Sequence, residues 1–371
     1  MTVAELHDAA DRGDLEALSS SLEDGTNVNS AERTDGRTAL HISSERGNLS
    51  LITFLIDNGA NTALRDHQHS LPVHDAAKRG HTEIVEYFVK NGFATVREKS
   101  RDWELLHLAA FEGHEALVVY LLSENADPCI KGAYGTAALS RACYCKRPAA
   151  PRVVQLLLDA GANVNACDHA GRSALHVAAE RGNSGAVHQL LERGAAPNAK
   201  QKVGNCCTPL MLAAQQGGPQ TVAALLAADN IHIQATDTEG SSALHYAALS
   251  GSLEAVEALL YAPGSDPAQQ LAHADENGQT AYCKAVSQEL ELALSGEPWC
   301  PRAHHLFPKA FKDAAQCLLL GHAAACRAHR LEGHLEGLGV LPREALVRIL
   351  EASAFPLCRW TKCTKPLHHY Y

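Results

Sequence analysis

Apolar and polar positions in this chain repeat in blocks of about 33 residues. The block is clearest in Asp168–Gly182, which reads DHAGRSALHVAAERG: a polar turn, a Ser-x-Leu-His box, a pair of alanines and a closing glycine. The box returns as Thr38–His41, Leu71–His74, Glu104–His107, Ala137–Ser140, Thr208–Met211 and Ser242–His245. From His41 to His74, His107 and Ser140 each step is 33 residues; the steps to His176, Met211 and His245 are 36, 35 and 34. Self-similarity at such a period marks a chain of stacked units.

Each block predicts two helices. The hydroxyl that opens the box (Thr38, Ser173, Thr208, Ser242) is suited to cap the first helix by accepting an orphan backbone N–H. A small pair such as Ala76-Ala77, Ala109-Ala110 or Ala213-Ala214 lets two helices approach closely. The glycine that follows (Gly47, Gly80, Gly113, Gly182, Gly217, Gly251) supplies the left-handed residue that ends the helix. A second helix carries apolar residues at helical spacing, as at Ile52, Leu55 and Ile56, or Val153, Leu156 and Leu157. No single unit can bury its own apolar face, so neighbours must stack.

The boxes and their spacing resemble the ankyrin repeat. The resemblance implies an all-α solenoid of helix-turn-helix units with β-hairpin-like tips. On this pattern residues 1–34 are an N-terminal capping repeat, residues 35–295 an array of seven to eight units, and residues 296–371 a helical C-terminal segment. It also implies that His41, His74, His107, His176 and His245 hold backbone and adjoining loops, with no catalytic or metal-binding role. In ankyrin stacks the tips and the exposed ends of the first helices line a concave groove that grips a protein partner. Here those positions are Arg46, Arg79, Phe111 and Arg181 at the helix ends, and His67, Gln68, Trp103, Tyr134, His169, Arg172 and Glu239 at the tips. Arg12, Arg46, Arg79 and Arg181 fall in register, as a basic stripe or as a column of intramolecular ion pairs. Trp103 replaces the usual turn residue, and either meets a partner or folds back on the adjacent tip.

Composition narrows the function. A formal net charge of −10 argues against nucleic acid as the main partner, because phosphate binding needs a basic field. Twelve cysteines in 371 residues are no disulfide scaffold, so a reducing, cytoplasmic compartment is expected. No apolar run approaches the length of a membrane span, and the N-terminus lacks the form of a secretory signal. There is no Gly-rich phosphate loop, His-Glu-x-x-His or Gly-x-Ser-x-Gly, so neither a cofactor nor a catalytic site is expected.

Three stretches depart from the pattern. The fourth unit replaces the boxed His with Ser140 and continues into Cys143-Tyr144-Cys145-Lys146-Arg147-Pro148, a functional insertion or drift. Cys358, Cys363, His368 and His369 have loose zinc-ligand character, weighed against a plain tail. Leu341-Pro342 followed by Leu346, Ile349 and Leu350 resembles the start of an F-box and, loosely, a SOCS box. That resemblance implies a ubiquitin-ligase adaptor as partner; a helix capping the last repeat accounts for the same residues.

Overall fold

A computed structural model describes residues 3–101, 103–145, 150–281 and 284. Each block becomes a pair of short helices. The pairs are α1 (Val3–Arg12) with α2 (Leu15–Glu23), α3 (Ala39–Arg46) with α4 (Leu49–Asp57), and α5 (Pro72–Arg79) with α6 (Thr82–Lys90). A two-stranded tip, β1 (Lys99–Ser100) and β2 (Trp103–Glu104), precedes α7 (Leu105–Glu112) and α8 (Glu115–Ser123). Then come α9 (Ala138–Tyr144) with α10 (Ala150–Asp159), α11 (Ala174–Glu180) with α12 (Ser184–Glu192), and α13 (Pro209–Gln215) with α14 (Pro219–Leu226). The described helices end with α15 (Ala243–Ser250), α16 (Leu253–Leu260) and α17 (Pro267–Ala272). Residues 285–371 lie outside the described residues, and with them Leu341–Leu350 and the Cys358, Cys363, His368 and His369 set.

The chain divides into two compact units, Met1–Ala178 with Gly185–Ala196, and Ala179–Ser184 with the chain from Pro197 onward. In the first, α1, α3, α5, α7 and α9 pack side by side in sequence order, and α6, α8 and α10 follow one another as a second layer. In the second, α13 packs on α15 and α14 on α16. The alanine pairs explain the close first layer: Ala76, Ala77, Ala109, Ala110, Ala213 and Ala214 are fully buried. The second helices supply bulk through Ile52, Leu55, Ile84, Val85, Phe88, Leu117 and Leu121. Burying such side chains contributes roughly 1.5–3 kcal/mol each, which is how units too small to hold a core become stable together.

The boxed histidines join one unit to the next. His41 Nδ1 accepts the Thr38 backbone N–H at 3.2 Å, and its Nε2 donates to the Ser70 carbonyl at 3.1 Å. His245 repeats this with Ser242 N–H (3.2 Å) and the Gln279 carbonyl (3.1 Å). Both bonds together select the neutral Nε2–H tautomer. Thr38 and Ser242 form capping boxes, as expected of the box hydroxyls, and Thr38, Ser173 and Ser242 each also lie 2.9 Å from the Nδ1 of their own histidine. Where Met211 replaces the histidine, Thr208 Oγ1 accepts the Met211 N–H (3.4 Å) as a simple cap.

Two glycines separate backbone strain from crowding. Gly47 and Gly59 have almost the same left-handed φ, 82° and 83°. A Cβ on Gly59 meets nothing within 4 Å, whereas on Gly47 it would lie 2.6 Å from His81 Cε1. That ring is held by its Nε2, which donates to the Glu45 carbonyl at 2.9 Å. Gly59→Ala is therefore expected to cost about 1–2 kcal/mol from conformation alone. Gly47→Ala should cost at least twice as much. Urea unfolding midpoints of the two variants test this, and equal losses would mean that the His81 ring moves aside freely.

Candidate partner-binding face

The tips begin with an aspartate whose carboxylate gathers the turn's own N–H groups. Asp66 Oδ1 accepts from Gln68 N (2.9 Å) and Ser70 N (2.7 Å), and Asp237 Oδ1 accepts from Glu239 N and Ser241 N, both at 2.8 Å. A single antiparallel bridge closes most tips, as at Ala31–Thr38, Lys131–Ala137 and Thr236–Ser242. Adjacent tips are then tied through the backbone. In the first unit His67 N donates to Asp35 O (2.8 Å) and His169 N to Tyr134 O (2.9 Å). In the second, Thr238 N donates to Asn205 O (3.0 Å) and Glu276 N to Glu239 O (2.9 Å). This ladder fixes the backbone of the tips from which the side chains project.

A second ladder runs along the loops after the second helices. Asn29 Nδ2 donates to Gly59 O (3.0 Å) while its Oδ1 accepts from Asn61 N (2.7 Å). Asn165 does the same with Gly194 O and Ala196 N, and Asn198 with Asn230 O and His232 N. The sequence reading missed it, although an Asn one repeat length from a Gly-Ala or Asn-x-His loop is a visible signal.

Of the expected tip residues, His67, Gln68, Tyr134, His169 and Glu239 are exposed. Tyr134 is the most open, at 79% of its surface, on a left-handed backbone with φ 57°. The His67 and His169 rings lie against Gly36 and Gly135 of the preceding tips, where a Cβ would come within 2.6 Å. Arg172 is half-buried and its Nε donates to Asp168 Oδ2 at 3.0 Å. Arg181 is exposed at the end of α11.

Two of the in-register arginines carry carboxylate partners. Arg46 pairs with Asp11 at 2.6 Å, and Arg79 pairs with Glu45 one repeat back. Glu45 also receives Arg37 at 2.6 Å, and Arg37 reaches Asp75 at 3.3 Å, which Lys78 meets at 3.4 Å. Burial opposes ionisation of Glu45, but Arg79 and Arg37 override it and hold the carboxyl below its usual range. At Asp75 burial wins, and the carboxyl is pushed up despite Lys78 and Arg37. This part of the face is a network of compensated charges, in which rim pairs contribute little on their own.

Trp103 folds back. Its half-buried ring meets His107 edge-on at 5.5 Å and takes the Arg141 guanidinium at 4.2 Å from its centroid. The same guanidinium lies 4.1 Å from the Phe111 centroid. Arg141 Nε is buried with no hydrogen-bond partner. Arg141 follows Ser140, so it occupies the position taken by Ile42, Asp75 and Leu108 in the preceding repeats. Sequence reasoning, which looked at the helix ends, passed over it. Among the described residues, no group of three or more His, Cys, Asp or Glu side chains is placed to hold a metal ion.

Comparison with known proteins follows the same residues. The family model for ankyrin repeats (3 copies) matches residues 6–100, 106–201, 175–270 and 210–294. An 88-residue stretch, 24% of this chain, is 40% identical to part of alpha-latrotoxin-Lh1a from Latrodectus hasselti. A 117-residue stretch, 32% of the chain, is 39% identical to part of neurogenic locus notch homolog protein 2 of Homo sapiens. These matches span only 6% and 4% of the two relatives' own lengths. The crystal structure of the human ASB11 ankyrin repeat domain superposes with a TM-score of 0.54 and 25% sequence identity, over 61% of this chain and 98% of that one.

Proposed function

The chain belongs to the ankyrin-repeat family, and we propose that it is a non-catalytic scaffold that holds a protein partner on its tips and first helices. The observation that supports this most directly is the set of exposed side chains carried on hydrogen-bonded tips: His67, Gln68, Tyr134 and His169 in the first unit, and Glu239 in the second. Tips whose backbone is ordered before binding lose less freedom on contact, and an exposed Tyr offers a large surface. Trp103 and Phe111 contribute the part of their rings left open, Arg46, Arg79 and Arg172 frame the face of the first unit, and Arg181 lies on that of the second. In this reading residues 1–34 cap the array, residues 35–295 bind, and the protein works in the cytoplasm without a cofactor.

The second reading is a substrate receptor of a cullin-type ubiquitin ligase. It rests on Leu341-Pro342 with Leu346, Ile349 and Leu350, which would recruit the ligase adaptor while the repeats choose the substrate. One affinity capture decides between the two readings, with the full chain, a Tyr134→Ala/Gln68→Ala variant and a chain truncated after Gly339. Scaffold function predicts that full and truncated chains recover the same partners and that the tip variant loses them. Ligase adaptors recovered by the full chain and lost on truncation would establish the receptor. Partners retained by the tip variant would move binding off this face.

A further inference from the structure

We infer that the Trp103–Arg141–Phe111 cluster reads a carboxylate, and that its ligand is a single Asp or Glu side chain of a partner protein. This rests on the partner-binding reading and names the chemistry of one position within it. The register supplies the first argument. Ile42, Asp75, Leu108 and Arg141 occupy equivalent positions in four successive repeats. Two are charged, and they are treated oppositely. Asp75 is met by Arg37 and Lys78. Arg141 makes no hydrogen bond or ion pair among the described residues, and its Nε is buried without an acceptor.

Arg141 is half-buried and its Nε lacks an acceptor, so beside the carboxylate-paired Arg37, Arg46 and Arg79 it is a cation with room for a carboxylate from a partner. Burial lowers the affinity of Arg141 for its proton, and the fields of Tyr144 and Glu112 act the other way. The rings at 4.1 and 4.2 Å hold the guanidinium in place, which removes much of the side-chain entropy that binding would cost. A planar fork fixed in this way matches a carboxylate through two parallel N–H···O bonds. The residue keeps part of its surface open, so a ligand can reach it. With a net charge of −10, the chain as a whole disfavours a phosphate-rich polymer and leaves a single carboxylate at a local cation as the fitting ligand.

The test is selection of a randomised peptide library on the full chain and, in parallel, on Arg141→Met, which keeps an apolar stem between the rings. Peptides enriched on the wild type should share an Asp or Glu. Changing that residue to Asn or Gln should weaken binding at least tenfold on the wild type and leave binding to Arg141→Met unchanged. Because Arg141→Met breaks no hydrogen bond or ion pair among the described residues and keeps an apolar stem against both rings, it should leave the urea midpoint close to that of the wild type. Peptides that bind both proteins equally, or that carry no shared acid, would overturn the carboxylate site while leaving partner binding intact. Enrichment of no peptide on either protein would overturn both. A lowered midpoint with peptide binding unchanged would make the cluster purely structural.

Discussion

Lowering the pH from 7 to 5 should cost the folded chain several kcal/mol, concentrated in the second and third repeats. Burial, the largest influence on His74 and His107, pushes each from 6.5 down to about 4. Between those values the unfolded chain binds protons that the folded chain refuses. Stability contributed by the neutral rings is therefore complete above pH 6.5 and falls as the pH drops toward 4. At pH 5 each histidine accounts for about 2 kcal/mol. Burial also lowers His41 and His245, which adds to the loss. Protonation would also put a hydrogen on the Nδ1 that accepts the box N–H at His41, His74 and His245. Asp75 and Glu104 work with the opposite sign, since burial raises their carboxyls and protonation relieves them, but they are two against four histidines. Urea unfolding at pH 7, 6 and 5 measures the effect. A midpoint that stays level across this range would rule out the neutral, buried rings. Hydrogen exchange adds the location: at pH 5 amides of α5–α8 should lose protection before those of α1–α4, because units of a repeat array can open separately.

Phe88→Ala should cost about 3–5 kcal/mol, the largest loss expected from a single substitution here. Phe88 is 1% exposed on α6, in the second-helix layer. Its ring meets Tyr87 edge-on at 6.2 Å and Phe93 edge-on at 6.4 Å. The alanine variant leaves a cavity that the alanine-rich first helices are too small and too tightly packed to fill. Tyr134→Ala is the matched control: an aromatic ring of similar size, removed from a site 79% exposed, with an expected change within about 0.5 kcal/mol. Chemical denaturation of the pair reads the difference. Comparable losses would show that Phe88 is not a core residue, or that Tyr134 packs on the protein.

The repeat was legible because its signals are local. Gly47, Gly80, Gly113, Gly182, Gly217 and Gly251 all take the left-handed φ that the helix ends required. A tip at Asp275–Thr280 also forms, closed by the bridge between Ala274 and Thr280. The role of the box hydroxyl was less legible. A Thr before a helix reads as a cap, and only the fold brings the His41 ring back to within 2.9 Å of it. The Cys143–Pro148 stretch shows the same limit. Cys143 is buried at the end of α9, where burial raises its thiol to about 12, so it acts as core and not as a reactive group.

The candidate face divides along the same line. The sequence by itself determined where tips and first helices lie, because those follow from a period of about 33 residues and from turn chemistry. Only the tertiary structure decided what each charge meets. Arg46 and Arg79 find carboxylates 35 and 34 residues earlier, and Arg37 finds one 38 residues later. Trp103, read from the sequence as a partner contact or a fold-back on the adjacent tip, stacks on Arg141 of the next repeat. Stacking places residues a repeat apart within contact distance, so the state of any one side chain depends on what the neighbouring unit presents. Spacing within a single unit carries no record of that.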